Sequence, residues 1–194
     1  KFKEECPPCK LIDVGNTKRY LIEPKPQGKD GALLIITKAE MSDLDDILEL
    51  QYIAYQSEAL LYEDFNIQPL KQTMEQIKKE FEEWIFYKAM INGRIIGSIR
   101  VLIKDKICFV GKLIVNPEYQ NQGIGTKLMR KVEKSISNIK TIELYTGNKS
   151  IRNLYLYKKL GFKEFKVEKI NENLSLIYLR KEIGGEVNTF PDTC

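Results

Sequence analysis

The chain contains no histidine at all. That single absence removes Ser-His and Cys-His nucleophilic catalysis and every histidine-ligated metal centre. Cysteine is scarce too, limited to Cys6, Cys9, Cys108 and Cys194. Cys108 falls within an apolar strand pattern and reads as a buried, inert thiol. Cys6 and Cys9 form C-x-x-C, but Pro7 and Pro8 stand between them and no second pair follows. No metal site is expected from that set; of a redox pair and an incidental tail pair, the second is favoured. No apolar run approaches the ~20 residues of a membrane helix, and residues 1–5 lack the apolar core of a signal peptide. A strong charge imbalance is also missing. Lys and Arg total 31 against 27 Asp and Glu, a net +4 with the signs interleaved. That pattern is a solvated surface rather than a nucleic-acid footprint, although a mild basic bias suits an anionic ligand. The expectation is a cytoplasmic protein with neither membrane nor nucleic acid as partner.

What is present is the material of a globular domain. The chain has 194 residues, 43% hydrophobic and 30% charged, enough for one well-buried core. Its texture divides it into an N-terminal extension (1–31), a periodic domain (32–180) and a C-terminal tail (181–194). Within the extension, segments 10–14 and 18–23 flank Gly15-Asn16-Thr17, a weak hairpin signal. Pro24, Pro26, Gly28 and Gly31 then read as a linker. Gly184-Gly185 and Pro191 give the tail its loose character. Both ends are expected to be dispensable for chemistry.

The periodic domain opens with a strand over 32–38. A helix follows, capped by Ser42 with Asp45, its apolar face formed by Leu44, Ile47, Leu48 and Tyr55. A second helix starts near Thr73, where Gln76 completes a capping box and Met74, Ile77 and Phe81 turn inward. Strands over 84–91 and 94–103 are joined by Asn92-Gly93, a strong hairpin signal. A strand over 107–115 is apolar on both faces and reads as central. Then come a helix over 123–136, a strand over 141–146, a helix over 150–160, and strands over 162–168 and 174–180. The order β-α-α-β-β-β-α-β-α-β-β predicts an α+β domain: one mixed, mostly antiparallel sheet with helices on both faces.

The chemically informative segment follows the central strand. Pro117 marks a turn, and Gln120-Asn121-Gln122-Gly123-Ile124-Gly125 opens a helix with an apolar stripe of Ile124, Leu128 and Val132. Free N–H groups at a helix start cradle an anion, and glycines at 123 and 125 would let a diphosphate approach the backbone. A P-loop would end Gly-Lys-Ser/Thr, whereas Gly125 is followed by Thr126-Lys127. A Rossmann fingerprint needs a third glycine, and position 128 is Leu. A lone G-x-G would serve only a tight turn; Gln-x-x-Gly-x-Gly between a buried strand and an amphipathic helix is more specific. Further on, Ser150, Asn153 and Tyr157 are spaced to share one helical face.

Gln120-x-x-Gly123-x-Gly125 resembles the pyrophosphate loop of the GNAT superfamily of N-acetyltransferases. The stretch from Ser150 to Phe162, ending Tyr157-Lys-Lys-Leu-Gly161-Phe162, resembles its second motif. The likeness covers 32–180. It implies acetyl-CoA, or a related acyl-CoA, as donor, bound by Leu113, Ile114 and Val115 of the central strand, by Gln120, Asn121, Gln122, Gly123, Ile124, Gly125 and Thr126 of the loop, and by Ser150 and Asn153. The family often has Asn where Ser150 stands, and Asn153 could supply that amide. The resemblance also implies a strand splay near Gly111 that slots the pantetheine, and Tyr157 as general acid.

The reaction implied is direct attack of an amine on a thioester, with a backbone N–H near Leu113 or Ile114 meeting the oxyanion. No carboxylate lies between 107 and 115, so the base is sought in Glu143, Glu63, Asp64 or a water chain. The acceptor pocket is expected among Tyr52, Tyr55, Tyr62, Phe65, Ser98 and Arg100, although aromatic residues at helical spacing are more often core. A small amine, an amino acid, an aminoglycoside and a protein N-terminus all stay open as acceptors, as does a homodimer. Two other readings use the same fold: a catalytically silent acyl-CoA sensor, and a partner-binding module.

Overall fold

Asn92 and Gly93 both take positive φ, 51° and 76°, the left-handed pair that a two-residue hairpin turn requires. They join β2 (Ile85–Ile91) to β3 (Arg94–Lys104), as the dipeptide predicts. A computed structural model describes residues 33–183 of the chain. The expected hairpin in 1–31, Cys6, Cys9, Cys194 and the tail from 184 onward lie outside the described residues.

Around that hairpin an eight-stranded sheet assembles. Its further strands are β1 (Ile35–Lys38), β4 (Ile107–Val110), β5 (Ile114–Val115), β6 (Thr141–Gly147), β7 (Lys163–Lys169) and β8 (Ser175–Glu182). The order is β1-β2-β3-β4-β6-β8-β7, with β5 paired to β3. Among the described residues only β4 and β6 pair in parallel, and the other ladders are antiparallel. This is the mixed, mostly antiparallel sheet expected. β8 continues to Glu182, past the boundary expected at 180, and Lys181 pairs with Glu133 at 2.7 Å.

Helices cover both faces. On one, α1 (Leu44–Tyr62) and α3 (Met74–Glu83) bury Leu44, Ile47, Leu48 and Ile77 against Phe86, Ile95 and Ile114. On the other, α4 (Ile124–Ser135) and α5 (Ile151–Lys159) pack on the sheet. Ile124, Leu128, Met129 and Val132 of α4 are all at most 3% exposed, each contributing about 1.5–3 kcal/mol by burial. The Thr73–Gln76 capping box forms as expected, with the Thr73 N–H donating to Gln76 Oε1 at 2.9 Å. The start of α1 differs. Glu40, not Ser42, precedes the first turn, a 3-10 segment over Met41–Asp43, and its N–H donates to Asp43 Oδ2 at 2.6 Å. Asp43 also binds Lys88 at 2.7 Å, which ties that turn to β2. A short helix, α2 (Gln68–Lys71), was not expected; its brevity leaves no periodicity to read. No helix among the described residues is long and apolar enough to cross a membrane.

The expected strand over 107–115 is broken in two. Gly111 donates its N–H to the Arg100 carbonyl at 2.8 Å and leaves the regular ladder. A Cβ at Gly111 would lie 2.8 Å from the Trp84 ring and 3.0 Å from Arg100 Cγ, so only glycine lets the chain pass there. The interruption has a topological result. β4 pairs with β6 only from Ile107↔Thr141 to Phe109↔Glu143. Beyond it, β5 pairs with β3 alone, while β6 runs on to Gly147 against β8. The sheet therefore splits between β5 and the far half of β6, at the place where a splay is implied by the resemblance.

Candidate active site

The start of α4 stands beside this split. Asn116 Oδ1 accepts from the Glu118 N–H at 3.0 Å and sets the 3-10 turn Pro117–Tyr119. Gln120 then donates from Nε2 to the Val115 carbonyl at 3.1 Å, fastening the loop to the end of β5. Asn121 and Gly123 take positive φ, 61° and 77°. The first helical bond runs from the Lys127 N–H to the Gly123 carbonyl, so the N–H groups of Ile124, Gly125 and Thr126 have no intrahelical acceptor. A Cβ on Gly123 would meet nothing within 4 Å. The space beside Gly123 is open, and three such donors can cradle an anionic group. Asn121 and Gln122 are exposed, and Gln122 Nε2 donates to the Glu118 carbonyl at 3.4 Å.

Gly125 has another task. A Cβ there would lie 3.3 Å from Leu156 and 3.9 Å from Leu113. The glycine lets the start of α4, the residue before β5 and the middle of α5 converge on one point. Arg152, not anticipated from the sequence, reaches from α5 to hydrogen-bond Gln120 Oε1 and brings a guanidinium to the loop.

The second motif has a local cause. Gly161 (φ 89°) ends α5 in the left-handed conformation. Phe162 returns its N–H to the Tyr157 carbonyl at 3.0 Å and Gly161 returns its own to Lys158 at 3.0 Å, the two bonds of a Schellman cap. The accompanying apolar contact is the Phe162 ring against that of Tyr157, centroids 5.9 Å apart at 60°. Tyr157 is thereby fixed at the end of α5, 6% exposed. Burial, and then the negative charge of Glu58, push its hydroxyl well above the ordinary tyrosine range, so it is protonated at neutral pH.

Ser150, Asn153 and Tyr157 do share a face, and it looks onto α1. Ser150 Oγ donates to Glu58 Oε2 at 2.6 Å, and Asn153 Nδ2 donates to Glu58 Oε1 at 3.3 Å. Glu58 was not singled out from the sequence. The available signal was its position three after Tyr55 and four before Tyr62, within the aromatic stripe of α1. Tyr62 belongs to the same contact: its oxygen accepts the Lys149 N–H at 2.7 Å and covers Gly147, leaving no room for a Cβ there.

Two of the carboxylates proposed as base are engaged elsewhere: Glu143 pairs with Arg180 at 2.6 Å and Asp64 accepts the Asn66 N–H at 2.7 Å. Glu63 is the C-cap of α1, its backbone at φ 54°. Two of the expected acceptor-pocket residues are core instead. Ser98 is 1% exposed and donates to the Tyr87 carbonyl at 3.1 Å. Arg100 is 2% exposed, pairs with Glu80, donates to Gln51 Oε1 and stacks on Phe86 at 4.5 Å. Its residue type suggested a ligand contact, but β3 points it into the layer under α1 and α3. Tyr52 donates to the Gln72 carbonyl, Tyr55 is half-buried, and Phe65 is exposed. Lys112, beside Gly111, shares Glu80 at 3.3 Å; burial first and Arg100 second bring its amine down to about 8.

A broken strand, an open helix start and a buried tyrosine thus stand together, and the class of the protein is that of an acyl-CoA-dependent N-acyltransferase. Residues 43–162 match the acetyltransferase (GNAT) family model, and the chain belongs to that family. Acetyl-CoA is accordingly its donor. The chain is 28% identical over 156 residues to an N-alpha-acetyltransferase of Sulfurisphaera tokodaii, covering 73% of this chain and 87% of that one. It is 26% identical over 145 residues to an uncharacterized N-acetyltransferase of Methanocaldococcus jannaschii, covering 69% of this chain and 62% of the relative's length. In fold it is similar to the ribosomal-protein-S18-alanine N-acetyltransferase of Escherichia coli, with TM-score 0.66 and 16% identity over 81% of this chain and 98% of that one. The PaiA N-acetyltransferase of Thermoplasma acidophilum, solved with coenzyme A, gives TM-score 0.64 and 21% identity over 78% and 99% of the two chains.

Proposed function

We propose that this chain transfers the acetyl group of acetyl-CoA to a primary amine by direct attack, and that the acceptor is an α-amine. The observation that carries the reading is the convergence of Leu113, Gly125 and Leu156, which sets the strand break, the helix start and Tyr157's helix around one point. The N–H groups of residues 124–126 hold the diphosphate. Leu113 belongs to neither ladder, which leaves its N–H for the oxyanion. Tyr157 gives its proton to the departing sulfur. The thioester supplies an electrophilic carbonyl and a leaving thiol of pKa ~8.5, by analogy with cysteine.

Two relatives favour the α-amine, one called an N-alpha-acetyltransferase and the other acting on the alanine of a ribosomal protein. Chemistry favours it as well. A lysine-like amine of pKa ~10.4 costs about 4–5 kcal/mol to deprotonate at pH 7, whereas an α-amine of pKa ~7.7–8.0 costs only about 1 kcal/mol. Adding α-amino acceptors to protein and acetyl-CoA should release free thiol, and ε-amino analogues should release it more slowly. An equal rate with both would remove the α-amine preference.

Tyr157→Phe keeps the ring packed on Phe162 and removes only the hydroxyl. General acid catalysis spans ~10²–10⁴-fold, and a thiolate leaves fairly well unaided. The expected loss in kcat is therefore at the low end, roughly 10–100-fold, with acetyl-CoA affinity unchanged. Unaltered kcat under rate-limiting chemistry would take Tyr157 out of the mechanism; lost affinity with kcat kept would make it a wall of the cofactor slot.

A further inference from the structure

The geometry points to Glu58 as the carboxylate that receives the acceptor's ammonium and takes its proton during transfer, an assignment that rests on the transferase reading above. The central strand offers no carboxylate between Ile107 and Val115. Glu58 approaches from the opposite side, on α1, with both oxygens directed at the face of α5 that carries Tyr157. Ser150 Oγ donates to one oxygen at 2.6 Å and Asn153 Nδ2 to the other at 3.3 Å. These donors are neutral. Among the described residues no lysine or arginine forms an ion pair with Glu58. A carboxylate oriented by neutral hydrogen bonds retains its charge for an incoming cation.

Charged and titratable neighbours fit the role. Tyr55 projects from α1 one turn before Glu58; burial first, with the charge of Glu58 adding to it, pushes both the Tyr55 and Tyr157 hydroxyls above the ordinary tyrosine range. Tyr145 of β6 and Arg100 of β3 act on the same Tyr55 hydroxyl. Glu58 therefore shares its surroundings with the group that must donate a proton to sulfur. A base on one side and an acid on the other is the pairing that amine acetylation needs.

The step balances as follows. The acceptor's ammonium, held beside Glu58, first loses one proton to solvent; the neutral amine nitrogen then bonds to the thioester carbonyl carbon, and its N–H becomes strongly acidic as that bond forms. The proton passes to Glu58, the C–S bond breaks, and the sulfur takes the proton of Tyr157. Tyr157 recovers a proton from Glu58 through solvent, so one amine hydrogen ends on the thiol and the products are an amide and free coenzyme A. Because the attacking nitrogen becomes acidic on bonding, a carboxylate suffices as its acceptor.

The test pairs Glu58→Gln with Glu58→Ala in the full chain, measuring acetyl-CoA affinity by calorimetry and thiol release with α-amino acceptors. Glutamine keeps the shape and can still accept from Ser150. The expected result is unchanged acetyl-CoA affinity with kcat/KM for the amine lower by ~100-fold or more, and a partial recovery of Glu58→Ala activity on adding formate. Glu58→Gln as active as the wild type overturns the assignment alone. Altered acetyl-CoA affinity with turnover preserved at saturation also overturns it, leaving Glu58 as a tie between α1 and α5. Wild-type protein that releases thiol with no amine overturns the transferase reading, and this assignment with it.

Discussion

Gly123→Glu should abolish measurable acetyl-CoA binding while the domain still folds. Gly123 holds φ 77° at the N-cap of α4, and a side chain there would point into space that no protein atom occupies within 4 Å. Folding therefore loses only the cost of a left-handed non-glycine residue, about 1–2 kcal/mol. Binding loses far more. The glutamate occupies the space before the N–H groups of residues 124–126 and places a negative charge where the diphosphate must sit. It also cancels the attraction of the helix start, itself worth about 0.3–1 kcal/mol per exposed charge and up to ~2 when partly buried. Calorimetry should show at least a 100-fold loss of affinity, with the circular dichroism of the wild type retained. Wild-type affinity in a folded variant would place the cofactor elsewhere.

Arg100→Ala should strongly destabilise the domain. Arg100 is 2% exposed, and its partners Gln51 and Gln72 are at most 1% exposed. Removing the guanidinium leaves Glu80 with Lys112 alone, strands the Gln51 carbonyl oxygen, opens a cavity beside Phe86 and withdraws the side chain that packs against Gly111. Breaking one side of a buried ion pair costs about 3–5 kcal/mol. Glu80 is 30% exposed, so solvent recovers part of its loss and the low end of that range applies. At roughly 2–4 °C per kcal/mol for a domain of this size, thermal unfolding should shift down by about 6–12 °C. Breaking the exposed Lys169–Glu172 pair through Lys169→Ala should leave the midpoint unmoved. Equal shifts for the two variants would mean that the buried network does not hold the strand break.

These two sites differ in how far the sequence reveals them. The helix start is local: a turn and two glycines within six residues carry it, and α4 begins within one residue of where the sequence predicts. The Asn92-Gly93 hairpin, the Thr73–Gln76 box and the Tyr157–Phe162 cap are legible for the same reason, since their bonds close within a few residues. The break at Gly111 is not local. Its cause is the Trp84 ring and the Arg100 side chain, brought against it across β2 and β3. Gly111 within the run 107–115 signals a close backbone approach, and the resemblance implies a splay there, but neither names the groups that impose it. Glu58 is hidden similarly. Its partners lie 92 and 95 residues away on α5, and a lone glutamate on a helix resembles any solvated one. Arg100 misleads in the opposite direction, because a charged residue on a strand suggests a ligand contact until its buried partners are seen.

The central claim is transfer itself, and label tracing tests it most directly. Acetyl-CoA carrying carbon-13 in its acetyl group is mixed with the full chain and a panel of α-amino acceptors, and products are read by mass spectrometry. The predicted result is labelled acetyl in an amide bond on an acceptor, with free coenzyme A formed in equal amount and both lost in Gly123→Glu. Label remaining in bound acetyl-CoA, or appearing only as free acetate, would contradict the account.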